Sequence, residues 1–272
     1  MAGKFDHFLI TRFNLKSDQN NWKTADNRSI ASTGDWLDHR IELFQEYCLP
    51  SVINQSNKDF TWLIYLDSET THEYRQKIEN LTNGYSLIKL RYADNYGEFI
   101  AKHTSDIIHI KSPDKEYIIT SRIDNDDVVH FNYIDTVQKQ FENQEFMAVN
   151  FIKTYHYKII QPEKLYLNYR FSNQFISIIE KIKNRTLHGC YARGDRFWNK
   201  KGEIIQISKG IFCMELIHEK NLLNNLNGFP VAVKKDLNDF QINKKICTRT
   251  LKDFLRIWKM SWKKYLIYLI KY

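Results

Sequence analysis

Four apolar runs rich in β-branched and aromatic residues recur along the first half of the chain, and stretches with helical spacing separate them. Runs of this kind predict buried strands, here at residues 6–13, 60–66, 85–92 and 117–123. A strand, helix, strand alternation is typical of a parallel or mostly parallel sheet covered by helices. The sequence therefore predicts an α/β fold.

The stretches between and after these runs predict the remaining elements. A helix beginning after Gly34 and Asp35 is expected to close near Pro50, and Thr70 with Glu73 forms a possible capping box for the next helix. A further helix is predicted at 98–109. After residue 127 the alternation breaks down, with helices predicted at 130–140 and 173–183 and strands at 146–151 and 154–160. Another apolar run, at 210–218, ends in His218.

Three carboxylates, Asp124, Asp126 and Asp127, follow the fourth predicted strand within four positions. Like charges this close repel unless a positive group joins them. A divalent cation such as Mg²⁺ or Mn²⁺ takes oxygen ligands and leaves positions open for substrate phosphates. The cluster therefore suggests a metal-bound diphosphate, and the alternative is a solvated acidic turn.

Polar residues also follow the first and second predicted strands. Thr11 and Arg12 end the first, and Asp67 with Ser68 ends the second. Ligands of open α/β sheets bind outside the carboxyl ends of the strands, so these groups and the acidic cluster are expected to share one rim. A cationic side chain, a carboxylate for a base or ribose and a metal-binding cluster suit a nucleoside diphosphate.

The net charge of +8 is confined to the end of the chain. Nine Lys or Arg and one acidic residue lie in 244–272, so residues 1–243 sum to zero and a nucleic-acid footprint is not indicated. From Leu251 onward, apolar and aromatic residues keep helical spacing beside a basic face. This predicts a peripheral helix at an anionic membrane, with packing on the domain as the alternative.

Composition supports one sizeable core, because 43% of the 272 residues are apolar. We find no repeat or Pro/Gly-rich linker, so a domain at 1–243 and the basic segment at 244–272 are expected. Four dispersed cysteines, no secretory leader and no apolar run long enough to span a bilayer predict a cytoplasmic protein.

Other chemistries fit less well. An EF-hand fails because Val128 and Val129 stand where an oxygen ligand and glycine are needed. A haloacid-dehalogenase-like phosphatase shares the Asp-x-Asp-x-Val signature, but its motif follows the first core strand and here three strand-helix units precede it. A non-catalytic membrane-surface adaptor and a polyanion binder are further alternatives.

Five segments together resemble the bacterial putative rhamnosyltransferase family, a group of GT-A fold glycosyltransferases. The likeness runs from about Phe5 to Gly228. His218 and Asn221 also resemble late residues of that family, although this chain has Glu219 where glycine often follows the histidine. The segments are Thr11-Arg12-Phe13-Asn14, Trp36 with Arg40, the run from Tyr47 to Val52, the run from Phe60 to Asp67, and the run from Ser121 to Asp127.

The resemblance implies a GT-A-like Rossmann-type sheet and a nucleotide-sugar donor, from which a sugar, by the family name rhamnose, moves to a saccharide or lipid-linked saccharide. The expected place is surface polysaccharide or lipopolysaccharide synthesis at the inner membrane. A Mn²⁺ or Mg²⁺ held by Asp124, Asp126 and His218, with Asp127 as a third or outer ligand, would bridge the diphosphate.

Roles for five more residues follow from the same resemblance. Arg12 and Arg122 are candidates to neutralise phosphate, Thr11 and Asp67 to hold the nucleoside, and Arg40 to brace either. If the reaction inverts the anomeric centre, a carboxylate must accept the acceptor proton. Asp195 is the first candidate for this base, and Glu180 is the second.

Overall fold

A computed structural model describes residues 4–16, 34–194, 198, 203–221 and 228–247. The predicted base Asp195 and the predicted basic helix from Leu251 onward lie outside these residues.

The centre of the fold is a seven-stranded sheet that confirms the four predicted strands of the first half. In spatial order the strands are Ile204–Ile207 (β10), Phe146–Phe151 (β6), Ser177–Lys181 (β9), Tyr117–Arg122 (β4), Phe5–Arg12 (β1), Thr61–Asp67 (β2) and Ile88–Ala93 (β3). Strands β1, β2, β3 and β4 are mutually parallel, and the antiparallel β9 separates β4 from β6. The mostly parallel sheet therefore has one reversed strand.

A second, five-stranded sheet and a two-stranded ribbon come from the later part of the chain. Directly after the acidic cluster the chain forms β5 (Val128–Val129) at the edge of the second sheet. Strand β11 (Cys213–Ile217) pairs with β5 in the antiparallel direction. The strands of this sheet are Phe229–Pro230 (β12), Lys164–Tyr169 (β8), Lys153–Lys158 (β7), Cys213–Ile217 (β11) and Val128–Val129 (β5), and the ribbon joins Lys235–Asp236 (β13) to Lys245–Ile246 (β14).

Helices cover both faces of the seven-stranded sheet, as predicted. On one face Leu9 and Trp62 pack in a core with residues of the first two helices, and on the other Phe8 and Leu63 pack with α4. The alternation of neighbouring residues between the faces follows from the two-residue period of a strand. The helices are Gly34–Leu43 (α1), a π-helical turn at Phe44–Cys48, Leu49–Ile53 (α2), His72–Thr82 (α3), Tyr96–Ile110 (α4) and Tyr133–Gln138 (α5), with a 3₁₀ turn at Asn238–Phe240.

Three sequence-based predictions were wrong in detail. The segment predicted as a helix at 173–183 contains β9, because its apolar residues fill a gap between two strands. Pro50 does not close the first helix, since it occupies the first turn of α2, where its missing N–H costs little. The Thr70 hydroxyl donates to the Asp67 carbonyl, so it caps no helix.

The boundary of the basic segment also shifts. Lys245–Ile246 pairs with Lys235–Asp236, and Ile246 is buried, so residues 244–247 belong to the folded domain. None of the helices in the described part of the chain is long and apolar enough to cross a membrane.

Candidate active site at the carboxyl rim of the large sheet

The carboxyl ends of β1, β2 and β4 meet at one rim, as the sequence predicted. The parallel register sets Arg12 beside Tyr65 near the end of β2, and Ile10 beside Arg122 at the end of β4. Since parallel neighbours end at the same edge, Arg12, Asp67 and the acidic cluster lie along one side of the domain.

The acidic cluster is a tight turn that sends its carboxylates in different directions. The backbone N–H of Asp127 donates to the Asp124 carbonyl at 3.1 Å, which closes a four-residue turn. Asn125 is buried inside the turn, and its amide donates to the Phe13 carbonyl at 3.1 Å. The turn is thereby tied to the end of β1.

Asp124 faces two arginines. Its Oδ1 lies 3.4 Å from an Arg12 guanidinium nitrogen and 3.6 Å from one of Arg122. The side chain of Asp124 is 30% exposed, whereas that of Arg122 is 9% exposed, so the carboxylate forms the outer layer of this group. The predicted phosphate-neutralising arginines therefore lie together at the rim.

Asp126 is buried between a cation and an imidazole. Arg40 forms an ion pair with its Oδ2, and His218 Nε2 lies 3.0 Å from the same oxygen. Burial acts to raise the pKa of this carboxyl, but the charge of Arg40 and the hydrogen bond from His218 outweigh it and lower the pKa to about 2. Asp126 is thus an anion at neutral pH despite its burial.

His218 reaches Asp126 because β11 pairs with β5, the strand that follows the acidic turn. Its backbone N–H donates to the Asn221 side-chain oxygen at 2.6 Å, and its Nδ1 lies 3.1 Å from His39 Nε2. The ring of His218 is therefore held at both nitrogens, by Asp126 at Nε2 and by His39 at Nδ1. Sequence reasoning did not identify His39, whose position on α1 gives no local signal.

Asp127 turns away from the rim into the second sheet. Its Oδ1 accepts the Leu216 backbone N–H at 3.3 Å, and the residue is 1% exposed. Burial, together with the charges of Asp126, Glu215 and Asp124, raises its pKa well above the ordinary value. Asp127 is therefore an anchor between the turn and β11.

Glu215 on β11 is a buried carboxylate that sequence reasoning missed. It is 1% exposed, and its Oε2 lies 2.9 Å from His156 Nε2 on the neighbouring strand β7. Burial opposes ionisation, but the hydrogen bond and charge of His156 lower its pKa. The available signal was a single carboxylate within the otherwise apolar run 213–217.

Two predicted nucleoside-binding residues have structural partners instead. The Thr11 hydroxyl is fully buried and accepts the Trp62 indole N–H at 2.9 Å. Asp67 is 2% exposed, and its two oxygens accept the backbone N–H groups of Lys16 at 3.2 Å and Glu69 at 3.0 Å. These contacts brace the rim, and a nucleoside-binding role for either residue stays a prediction.

Glu180 also lies away from the rim. It pairs with Ile118 near the beginning of β4, and its carboxylate accepts the backbone N–H groups of His188 and Gly189 at 2.8 Å each. The second candidate base therefore anchors the loop that follows β9.

The predicted four-residue metal site is not formed as a unit. Among the residues that the structure describes, no group of three or more His, Cys, Asp or Glu is arranged to hold a metal ion. Asp126 and His218 do converge, and a carboxylate with an imidazole is a donor pair that fits Mn²⁺. Two protein ligands are enough for ions that take the remaining ligands from water and substrate phosphates.

The family model described as "Putative rhamnosyl transferase" matches residues 6–222. No curated protein matches the sequence.

Solved structures of similar architecture are distant. TarS 1–349 of S. aureus in complex with UDP-GlcNAc is 12% identical, with a TM-score of 0.46 over 79% of this chain and 60% of that chain. A putative nucleotide-diphospho-sugar transferase from Desulfovibrio desulfuricans G20 is 8% identical, with a TM-score of 0.38 over 78% of this chain and 80% of that chain. The present chain thus spans about 60% of the length of the TarS fragment.

Proposed function

Because the chain belongs to the family described as putative rhamnosyl transferase, and is on that ground a glycosyltransferase, we propose that its donor is a nucleotide diphosphate sugar bound at the carboxyl rim of the large sheet. The observation that carries this proposal is the convergence of Arg12, Arg122, Asp124, Asp126 and His218 on that rim. Rhamnose as the transferred sugar is the proposal that the family description supports.

The two arginines bind the diphosphate. Arg12 and Arg122 share the half-exposed Asp124 carboxylate, so an incoming diphosphate meets two guanidinium groups that are already oriented. Negative charge grows on the leaving diphosphate as the bond to the sugar breaks, and fixed cations lower the energy of that state.

A divalent cation at Asp126 and His218 is part of the proposal, with the donor pair as its support. When bound, the ion supplies a Lewis acid for the leaving group. Arg40 keeps Asp126 ionised inside the protein, and His39 orients the His218 ring through the other nitrogen. The proposed cation site does not require Asp124 or Asp127 as a ligand. Asp124 pairs with two arginines, and Asp127 accepts the Leu216 backbone N–H.

The acceptor is proposed to be a saccharide or lipid-linked saccharide of a surface polysaccharide or lipopolysaccharide. If the transfer inverts the anomeric centre, its hydroxyl needs a base, and Asp195 is the candidate that the sequence offers. Asp195→Asn is then expected to lower kcat and to leave donor binding unchanged.

Isothermal titration tests the donor proposal directly. The full chain is titrated with UDP, GDP and dTDP, each with and without Mn²⁺, and the series is repeated on Asp126→Ala. Binding of one nucleotide that Mn²⁺ strengthens in the wild type, and no longer strengthens in the variant, supports both donor and cation. If no nucleotide binds with or without Mn²⁺, the donor proposal is wrong.

Membrane contact by the basic segment is proposed from its sequence, which predicts a helix with a basic face from Leu251 onward. Since residues 244–247 belong to the domain, the matched deletion removes 248–272 only. Wild type is expected to sediment with vesicles containing anionic phosphatidylglycerol and to release at high salt, because each Lys or Arg contributes roughly 1 kcal/mol at such a surface. Equal sedimentation of the deletion variant would contradict this proposal.

A further inference from the structure

Tyr191 lies against both arginines of the rim. The centre of its ring is 5.5 Å from Arg12 Cζ and 4.8 Å from Arg122 Cζ, and the residue is 4% exposed. The ring therefore contacts the two guanidinium groups that also share the Asp124 carboxylate.

The guanidinium groups of Arg12 and Arg122 carry like charges and repel each other. Holding both beside Tyr191 therefore requires an opposing attraction. The face of an aromatic ring attracts a guanidinium group, and more strongly where water is excluded. Asp124 meets the arginines from the exposed side, and Tyr191 meets them from the buried side. An incoming phosphate can replace the carboxylate, but the ring remains.

Tyr191 is also held by contacts that do not involve the two arginines. Its ring packs edge-on against Phe99 at 4.9 Å and His103 at 5.7 Å on α4. The loop before it is held by the Glu180 carboxylate, which accepts the N–H groups of His188 and Gly189. The ring thus has a rigid support that does not depend on a ligand.

We propose that Tyr191 is a positioning residue for the phosphate-binding pair Arg12 and Arg122, setting the spacing of the two guanidinium groups to suit a diphosphate. The inference rests on the proposed function, since it concerns how the same rim binds its donor. In this proposal Tyr191 acts through the two arginines.

The test measures the affinity of UDP, GDP and dTDP for the full chain carrying Tyr191→Phe or Tyr191→Leu. Phe keeps the ring and should bind within about twofold of wild type, whereas Leu loses both ring contacts and should bind roughly tenfold more weakly. Tyr117→Leu is the matched control, because Tyr117 has a lysine 5.6 Å from its ring at the opposite end of β4. This control should bind like wild type.

A double-mutant cycle separates positioning from general damage. If Tyr191 acts through the two arginines, Tyr191→Leu should weaken binding much less in an Arg12→Gln or an Arg122→Gln background than in wild type. A loss as large in both of these backgrounds as in wild type would overturn the proposal, as would wild-type affinity in Tyr191→Leu. If wild type binds no nucleotide, the donor proposal has failed instead.

A series of fluorinated phenylalanines at position 191 covers the case in which Tyr191→Leu does not fold. Fluorine keeps the ring shape and burial but weakens the attraction of its face for a cation. Affinity is expected to fall stepwise with each fluorine. An affinity independent of fluorination, in variants with wild-type thermal unfolding, would overturn the proposal.

Discussion

His218 Nε2 lies 3.0 Å from the Asp126 carboxylate, although 92 residues separate the two along the chain. The contact exists because β11 pairs with β5 and so ends beside the acidic turn. The contact places one buried carboxylate and one buried imidazole against each other at the rim.

Asp126→Asn is expected to lower transferase activity by at least roughly 100-fold, since even outer partners of metal ligands cost 10- to 100-fold. His218→Ala should lose less, and higher Mn²⁺ should restore part of its activity. The measurement is initial rate against Mn²⁺ concentration. Asp114→Asn, whose side chain is 73% exposed before β4, is the control and should match wild type. Full activity of wild type in chelator would contradict the role of the cation.

Arg40→Met is expected to destabilise the fold by roughly 3 to 5 kcal/mol, because it leaves the buried Asp126 charge without its cation. Urea unfolding measures the loss. Asp126→Asn in the same chain should recover part of it, since the uncompensated charge is then gone. Additive losses in the double variant would show that the two side chains do not depend on each other.

Asp127→Asn should be tolerated where Asp126→Asn is not. The amide oxygen can still accept the Leu216 N–H, and burial raises the pKa of the native carboxyl well above its ordinary value, so the fold favours its neutral form. A group whose pKa is raised by folding stabilises at low pH and loses that contribution as pH rises through the folded pKa. Thermal unfolding followed upward from the ordinary Asp pKa of 3.8 to alkaline pH should therefore show a flatter profile for the variant than for wild type.

His7 is expected to make the fold sensitive to acid. Burial lowers its pKa to about 3, and its Nε2 lies 2.8 Å from the Ser121 hydroxyl. The unfolded chain takes up the proton near pH 6.5, so stability is present above that pH and is lost as pH falls towards 3. His7→Gln, which still hydrogen-bonds but does not titrate, should flatten the urea unfolding profile in this window. An unchanged profile would assign the acid sensitivity to other groups.

Gly189→Ala is expected to destabilise the loop that carries Tyr191. Gly189 has φ of +72°, and an added Cβ would lie 2.8 Å from His103 Nε2. Gly84→Ala is the matched control, because Gly84 has φ of +94° and open space around the added carbon. The control should lose roughly 1 kcal/mol from backbone strain alone, and Gly189→Ala should lose more. Equal losses in urea unfolding would mean that His103 moves aside freely.

Local sequence determined the parallel half of the fold. The runs that became β1, β2 and β4 are apolar and flanked by helical patterns, which predicts strands buried on both faces, and the structure has them so. The same reasoning placed polar residues at strand ends, and therefore placed Arg12 and the acidic cluster on one rim.

Tertiary structure decided what local pattern left ambiguous. Residues Ile178 and Ile179 fit a helix or a strand, and the pairing with β4 on one side and β6 on the other made them part of β9. Short apolar runs carry no information about their neighbours, which is why periodicity alone could not choose.

The direction in which each side chain of the acidic cluster points determines its role. Asp124, Asp126 and Asp127 are chemically alike in sequence, but the turn points one at arginines, one at Arg40 and His218, and one into the second sheet. Sequence determined that carboxylates follow β4. Burial and long-range partners determined which of them stays ionised, because the charge of a buried carboxyl depends on groups that only the fold brings near.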